Sequence, residues 1–370
     1  MGIFSIDMKT SKISNFFQDK PLFGMDIGHG TLKVMQMSQP DSDNKKEFIP
    51  KVIGYGFTTF DKSSQVDGVV VDPQVVAEAA MSLFKNHLIG DITTRRVAIA
   101  IPAYRTFTRS LELPRLTKKE LKEAVELEAE QYIPMPLQQM YLDYEIVRQT
   151  KELTEIFIVA VPKEIVDSYL ALTRILGLEV VLIEPTLSSS GRLFSLDSRS
   201  NVASIIIDFG SLSADISIFD KHVLVTGTVQ GGGVNFTESI RAKLKVTLAE
   251  ASLIKTRYGL NASKKQAEIK QALEPTLKQI VKEIQRMIRY YEEQYGTTRP
   301  IGQIVTLGGG ANMPGLSEYL TDGMRVAVRH IEPWSYLEHK GLQPPATADR
   351  PMYATVAGLG LANPRKVFLP

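Results

Sequence analysis

At 370 residues the chain is long enough for about two or three domains, each able to bury its own core. With 44% hydrophobic and 23% charged residues it is neither a disordered nor a collagen-like chain. Its 43 basic and 41 acidic residues leave a formal charge of +2, too weak a field to make nucleic acid the expected partner, and the lack of cysteine excludes disulfides, thiolate nucleophiles and Cys-ligated metal.

The first twenty residues mix Ile3, Phe4, Phe16 and Phe17 with polar groups in no regular period and are expected to form a loose tail. From Pro21 onward the pattern is strand, turn, strand: 22–27, the turn Gly28-His29-Gly30, then 31–37. Residues 51–60 read as another strand, 73–87 as a helix and 97–101 as a buried strand, which together make an α/β layer. After Pro102 the texture changes to an alternating stretch over 106–113, a helix over 118–132, strands over 140–148 and 155–161, and a helix over 163–176. This stretch is an expected α+β insertion, because 179–184 resumes the buried-strand texture of the opening.

A polar stretch at 196–201 precedes a second strand-turn-strand, 202–208 and 214–220 around Phe209-Gly210-Ser211. A Gly-rich turn at 231–233, helices over 236–245, 248–258 and 272–295, a strand over 304–307 ending in Gly308-Gly309-Gly310, and a helix over 353–362 complete the chain. The expected organisation is a tail at 1–20, a first lobe at 21–103 that resumes at 179–200 and 350–370, an insertion at 104–178, and a second lobe at 201–349. No apolar run approaches the ~20 residues that cross a bilayer, and no secretory pattern opens the chain. The cytoplasm is the expected compartment, with any membrane link made through a partner.

Gly24-x-Asp26-x-Gly28 ends one strand and Asp208-x-Gly210 ends another in the second half. Backbone N–H groups at such turns can approach phosphate oxygens, and a strand-end carboxylate can organise a hydrated Mg²⁺. A single Asp-x-Gly turn is ordinary hairpin chemistry; two in equivalent places, with a third Gly run at 308–310 able to admit a base, point to nucleotide. P-loop and dinucleotide fingerprints are absent, and the five histidines show no ligand spacing. His29, inside the first turn, could bond a phosphate. Glu184, at the end of its strand, is the candidate catalytic carboxylate, placed to order an attacking water.

These features resemble the actin-like ATPase superfamily of actin, Hsp70 and FtsA. Within it the insertion, through Glu128-Ala129-Glu130-Gln131-Tyr132-Ile133-Pro134-Met135-Pro136, Leu142-Asp143-Tyr144 and Val159-Ala160-Val161-Pro162-Lys163, is similar to the PilM family of type IV pilus assembly proteins. The resemblance implies an α/β fold with a duplicated, two-lobed ATPase core and an inserted α+β subdomain in the first lobe. It also implies ATP and Mg²⁺ as ligands. Asp26, Gly28 and Lys33 match the first phosphate loop; Asp208, Gly210, Ser213 and Asp215 match the second; Asp26 and Asp208 would hold Mg²⁺ through water. Gly232, Gly233 and Thr237 match the following turn and helix start, and Glu184 matches the Glu-Pro carboxylate. Gly308, Gly309, Gly310 and Asn312 match the adenosine loop, with Lys255 the basic member of a ribose pair whose acidic position is Ser252 here.

The function so implied is a cytoplasmic ATP-binding scaffold, peripheral to the inner membrane through partners. It would hold the cytoplasmic N-terminal peptide of PilN, with other pilus inner-membrane components nearby and slow or no ATP hydrolysis. The apolar face of 118–132, through Leu121, Ala124, Val125 and the stem of Glu128, is the expected wall of the peptide groove. An FtsA-like polymerising tether would need a C-terminal amphipathic helix, which Pro364 and Pro370 forbid. A small-molecule kinase would need a base facing a substrate pocket, and the insertion shows only ordinary surface carboxylates.

Overall fold

The computed structural model describes residues 20–38 and 49–363. The tail expected at the N-terminus lies outside them up to residue 19, as does the chain end from 364. The described chain forms two compact units, one made of residues up to 192 with 336–343 and from 355 onward, the other of 193–335 with 344–354.

In the first unit a six-stranded sheet is built from β1 (Phe23–Gly28), β2 (Thr31–Met37), β3 (Val52–Thr59), β6 (Ile89–Gly90), β7 (Arg96–Ile101) and β11 (Glu179–Pro185), in the order β11-β7-β1-β2-β3-β6. A small hairpin, β4 (Gln65–Val66) with β5 (Val69–Val70), stands apart from it. β1 and β2 are antiparallel across the Gly28–Thr31 turn, while β7 and β11 run parallel beside β1. The unbroken apolar run of β7 is the mark of a parallel strand buried on both faces. Helix α1 (Pro73–Asn86) starts where Asp72 accepts from the Val75 N–H with Pro73 in the first turn, and it buries Val76, Ala77, Ala80 and Leu83.

The insertion is a three-stranded antiparallel sheet, β8 (Phe107–Pro114), β10 (Leu153–Pro162) and β9 (Met140–Gln149), with β10 central. Helix α2 (Lys118–Tyr132) begins with a capping box, Thr117 with Glu120. Its apolar face does not form an open wall: Leu121 and Val125 pack on Ile156 and Ile158, and Ala129 on Met140 and Ala160. The face expected to wall the peptide groove is covered instead by the sheet of the same subdomain. Helix α3 (Lys163–Ile175) then buries Ile165, Val166, Tyr169 and Leu172, and α4 (Thr186–Phe194) follows β11.

The second unit holds a five-stranded sheet, β14 (His222–Gln230), β13 (Ser213–Asp220), β12 (Ser204–Phe209), β15 (Gln303–Leu307) and β16 (Val328–His330), in that order. Its helices are α5 (Gly233–Leu244), α6 (Leu248–Arg257), α7 (Gln266–Tyr295) and α8 (Leu316–Met324). Helix α7 begins six residues before the expected 272 and runs through Pro275. A proline removes one backbone hydrogen bond and crowds the preceding turn. The stripe of Ile269, Leu273, Leu277, Ile280, Ile284 and Met287, fully buried in the unit's core, holds the helix together across it. The last helix, α9 (Ala354–Gly360), is shorter than the expected 353–362. Among the described residues no helix is long and apolar enough to cross a membrane.

Candidate functional site

In the first unit the register of β1 against β2 sets Asp26 directly opposite Lys33. The Lys33 ammonium donates to Asp26 Oδ2 at 2.9 Å and to Thr31 Oγ1 at 3.3 Å, and both partners of the ion pair are buried. Lys33 also reaches over the turn. A Cβ added to Gly28 would stand 3.0 Å from Thr31 Oγ1 and 3.6 Å from Lys33 Nζ, so glycine keeps this space open. Gln65 of β4 donates to the Ile27 carbonyl and to the Tyr169 hydroxyl below. Burial, and then the charge of Asp26, hold that hydroxyl protonated. Gly24 serves a different purpose: a Cβ there would lie 2.6 Å from the Val356 carbonyl and 2.7 Å from Leu359 Cβ, so it lets α9 pack against β1.

The corresponding register in the second unit sets Asp208 opposite Asp215, two buried carboxylates where the first unit has an ion pair. Burial, and then the charge of Asp208, push the Asp215 carboxyl up to about 7, although Thr228 of β14 donates to it at 2.9 Å. The turn is tightly built: the Gly210 N–H donates to the Ser213 carbonyl, and the Gly233 N–H donates to the Gly210 carbonyl, each at 2.9 Å. A Cβ on Gly232 would lie 2.4 Å from the Gly210 carbonyl oxygen, so this glycine seats the second Gly run on the first. Gly308, in the left-handed region at φ +83°, comes closer still; a Cβ there would lie 2.2 Å from Asp208 Oδ1. Around Gly309 the space is open, with the nearest atom to an added Cβ at 3.9 Å.

Thr237, one turn into α5, donates to the Gly233 carbonyl and accepts from Lys255 at 2.8 Å. Lys255 is carried on α6, whose start is fixed by the Thr247–Glu250 capping box, and it also donates to the Gly233 carbonyl at 2.7 Å. Burial lowers its pKa. Ser252, the expected ribose partner of Lys255, is exposed on the same helix, and among the described residues its hydroxyl is not bonded to that lysine. Asn312 donates to the Ala348 carbonyl at 3.0 Å.

Glu184 is fully buried at the end of β11, where Arg192 of α4 donates to Oε1 at 2.7 Å and to Oε2 at 2.5 Å and also reaches the Gly358 carbonyl. The carboxylate expected to order a water thus has a bidentate ion pair on both of its oxygens. Sequence reasoning missed Arg192, Thr228, Gln65 and Tyr169. An arginine eight residues after Glu184, at the inner end of the next helix, was the available signal for the first; the others depend on strand register.

The second unit's residues fit a hydrated divalent cation and a phosphate chain. Two buried carboxylates repel each other, and a cation would take the place of the proton that Asp215 otherwise keeps. No group of three or more His, Cys, Asp or Glu side chains that could hold a metal occurs among the described residues. Waters and phosphate oxygens would therefore complete the shell of a Mg²⁺, as that ion prefers. Asp26, the other expected Mg²⁺ residue, already has one oxygen on Lys33.

A family model described as "Type IV pilus assembly protein PilM" matches residues 24–364. Among solved structures, one described as "PilM-PilN type IV pilus biogenesis complex" is 22% identical, covers 95% of this chain and 99% of its own, and superposes with a TM-score of 0.78. The ethanolamine utilization protein EutJ from Carboxydothermus hydrogenoformans is 16% identical over 93% of this chain and 91% of its own, at a TM-score of 0.50. MreB 5 of Spiroplasma citri, in a structure bound to AMPPNP, is 12% identical over 92% of this chain and 95% of its own, also at 0.50. The fold is the α/β fold of actin-like ATPases.

Proposed function

Since this chain belongs to the type IV pilus assembly protein PilM family, we propose that it is an ATP-binding scaffold that holds the cytoplasmic N-terminal peptide of PilN. The match over residues 24–364 carries the reading. It is supported by the likeness to the chain solved as a PilM-PilN complex and to an MreB solved with AMPPNP. The chain would work in the cytoplasm, peripheral to the inner membrane through PilN and other pilus components.

When bound, Mg²⁺ would supply positive charge against the phosphates. Asp208 would hold it through water, with Asp215 turned toward the same charge, and Asp26 would do so from the first turn. Backbone N–H groups at Gly28 and Gly232 and the hydroxyl of Ser213 would receive phosphate oxygens, while Gly210, Gly233 and Thr237, whose donors are bonded within the turn, would hold its shape around them. Lys33 and Lys255 would contribute charge, and Gly308, Gly309, Gly310 and Asn312 would line the adenosine, with Ser252 at the ribose. Slow or absent hydrolysis suits Glu184, whose oxygens are occupied by Arg192. The peptide would add to an outer strand of the inserted sheet, β8 or β9, each of which has β10 as its one neighbouring strand among the described residues.

Titration of the full chain with a synthetic PilN cytoplasmic peptide, with and without Mg-ATP, tests this. Saturable binding is expected, with amide protection inside residues 104–178. Absence of binding at high micromolar peptide, or protection confined to 202–323, contradicts the scaffold reading.

A further inference from the structure

The first turn has no hydroxyl at its two central positions, His29 and Gly30, and the Thr31 hydroxyl beside them accepts from Lys33. A neighbouring segment brings a cation to it. Gly30 is left-handed, at φ +81°, and a Cβ there would lie 2.6 Å from Lys62 Cγ and 3.4 Å from Lys62 Cε, so the stem of Lys62 is laid across the turn and only glycine permits it. The Phe60 N–H donates to the Gly30 carbonyl at 3.1 Å, fastening the end of β3 to the turn just before this lysine. Asp61, the nearest carboxylate in sequence, is turned to Ser63: it accepts from that residue's N–H at 2.9 Å and from its hydroxyl at 2.8 Å, capping the single helical turn Lys62–Ser64.

Lys33 on the other side of the turn is neutralised by Asp26, whereas Lys62 makes no ion pair among the described residues. His29 lies within reach of its field: burial, and then the charge of Lys62, keep the imidazole neutral. A long cation held over a Gly turn, with its neighbouring carboxylate committed elsewhere, calls for an anion. The turn's backbone and His29 provide hydrogen-bonding groups for one.

We propose that Lys62 grips the phosphate chain of the bound nucleotide at the Gly28–Gly30 turn, with His29 beside it, and so completes a phosphate site that the turn alone does not make. This rests on the nucleotide reading above. Lys62 is a binding residue with no part in bond making.

The test is calorimetric titration of the full chain with Mg-ATP for wild type, Lys62→Gln and Lys62→Arg, with the melting temperature of each ligand-free protein as the measure of folding. Lys62→Gln is expected to weaken ATP binding at least about tenfold, the loss of one charged hydrogen bond, and Lys62→Arg to recover most of it, with all three melting alike. Equal ATP affinity in wild type and Lys62→Gln overturns the assignment while leaving nucleotide binding intact. Equal losses in Lys62→Gln and Lys62→Arg, with lowered melting in both, also overturn it, because the stem would then be only packing. A wild-type chain that does not bind ATP refutes the nucleotide reading and this assignment with it.

Discussion

The two strand-turn-strand hairpins place an aspartate at the same point and surround it in opposite ways. In the first unit Asp26 faces Lys33 and is neutral as a pair; in the second Asp208 faces Asp215, whose carboxyl is pushed up to about 7 by burial and then by the charge of Asp208. Shared geometry therefore does not mean shared electrostatics. The first hairpin sets a lysine against its aspartate, whereas the second sets two carboxylates against each other.

The largest effects should come from removing the cation of a paired carboxylate. Lys33→Met leaves Asp26 buried without its counter-ion and should destabilise the chain by roughly 3–5 kcal/mol, as should Arg192→Met, which orphans Glu184. Denaturant midpoints measure both. A change below about 1 kcal/mol in either would mean that water reaches the site, as at an exposed pair.

Asp215→Asn should act in the opposite direction and with a pH signature. The folded-state pKa of about 7 lies above the ordinary 3.8, so the native state holds the proton more tightly than the unfolded chain. Stability from this group is present at low pH and is lost as pH rises from about 4 to about 7. Relative to wild type in EDTA, Asp215→Asn should therefore gain about 2 kcal/mol more at pH 8 than at pH 5. A pH-independent difference would break the contrast between the hairpins.

The smallest effect concerns Ser252. Ser252→Glu puts a carboxylate three residues before Lys255 on one helix surface and should change ligand-free stability by only ~0.3 kcal/mol. A change above about 1 kcal/mol in thermal unfolding would show that Lys255 is less engaged with Gly233 and Thr237 than the structure indicates.

The duplicated hairpins, most of the helices and the insertion were legible because each rests on local chemistry: apolar period and Asp-x-Gly turns. The partners of the carboxylates were not. Whether Asp26 meets a lysine and Asp208 another aspartate depends on strand register, which a turn sequence sets only after folding. The face of α2 shows the same limit from the apolar side. Periodicity marked Leu121 and Val125 as an apolar face, expected to wall a peptide groove, and Ile156 and Ile158 cover them instead. The first turns of α7, over 266–271, were missed, and the buried stripe from Ile269 onward is what carries the helix through Pro275. The strand β14, which supplies Thr228, gave too irregular an alternation to be separated from the turn after β13.

The most direct test of the account is calorimetry of the full chain with ATP, in Mg²⁺ and in EDTA, for wild type and Asp208→Asn. The account predicts saturable, Mg²⁺-dependent binding to wild type, with about 2.7 kcal/mol of stabilisation at a ligand concentration 100 times the dissociation constant. In Asp208→Asn most of the Mg²⁺-dependent part should be gone. No heat with wild type at millimolar Mg-ATP, or unchanged Mg²⁺ dependence in Asp208→Asn, would contradict it.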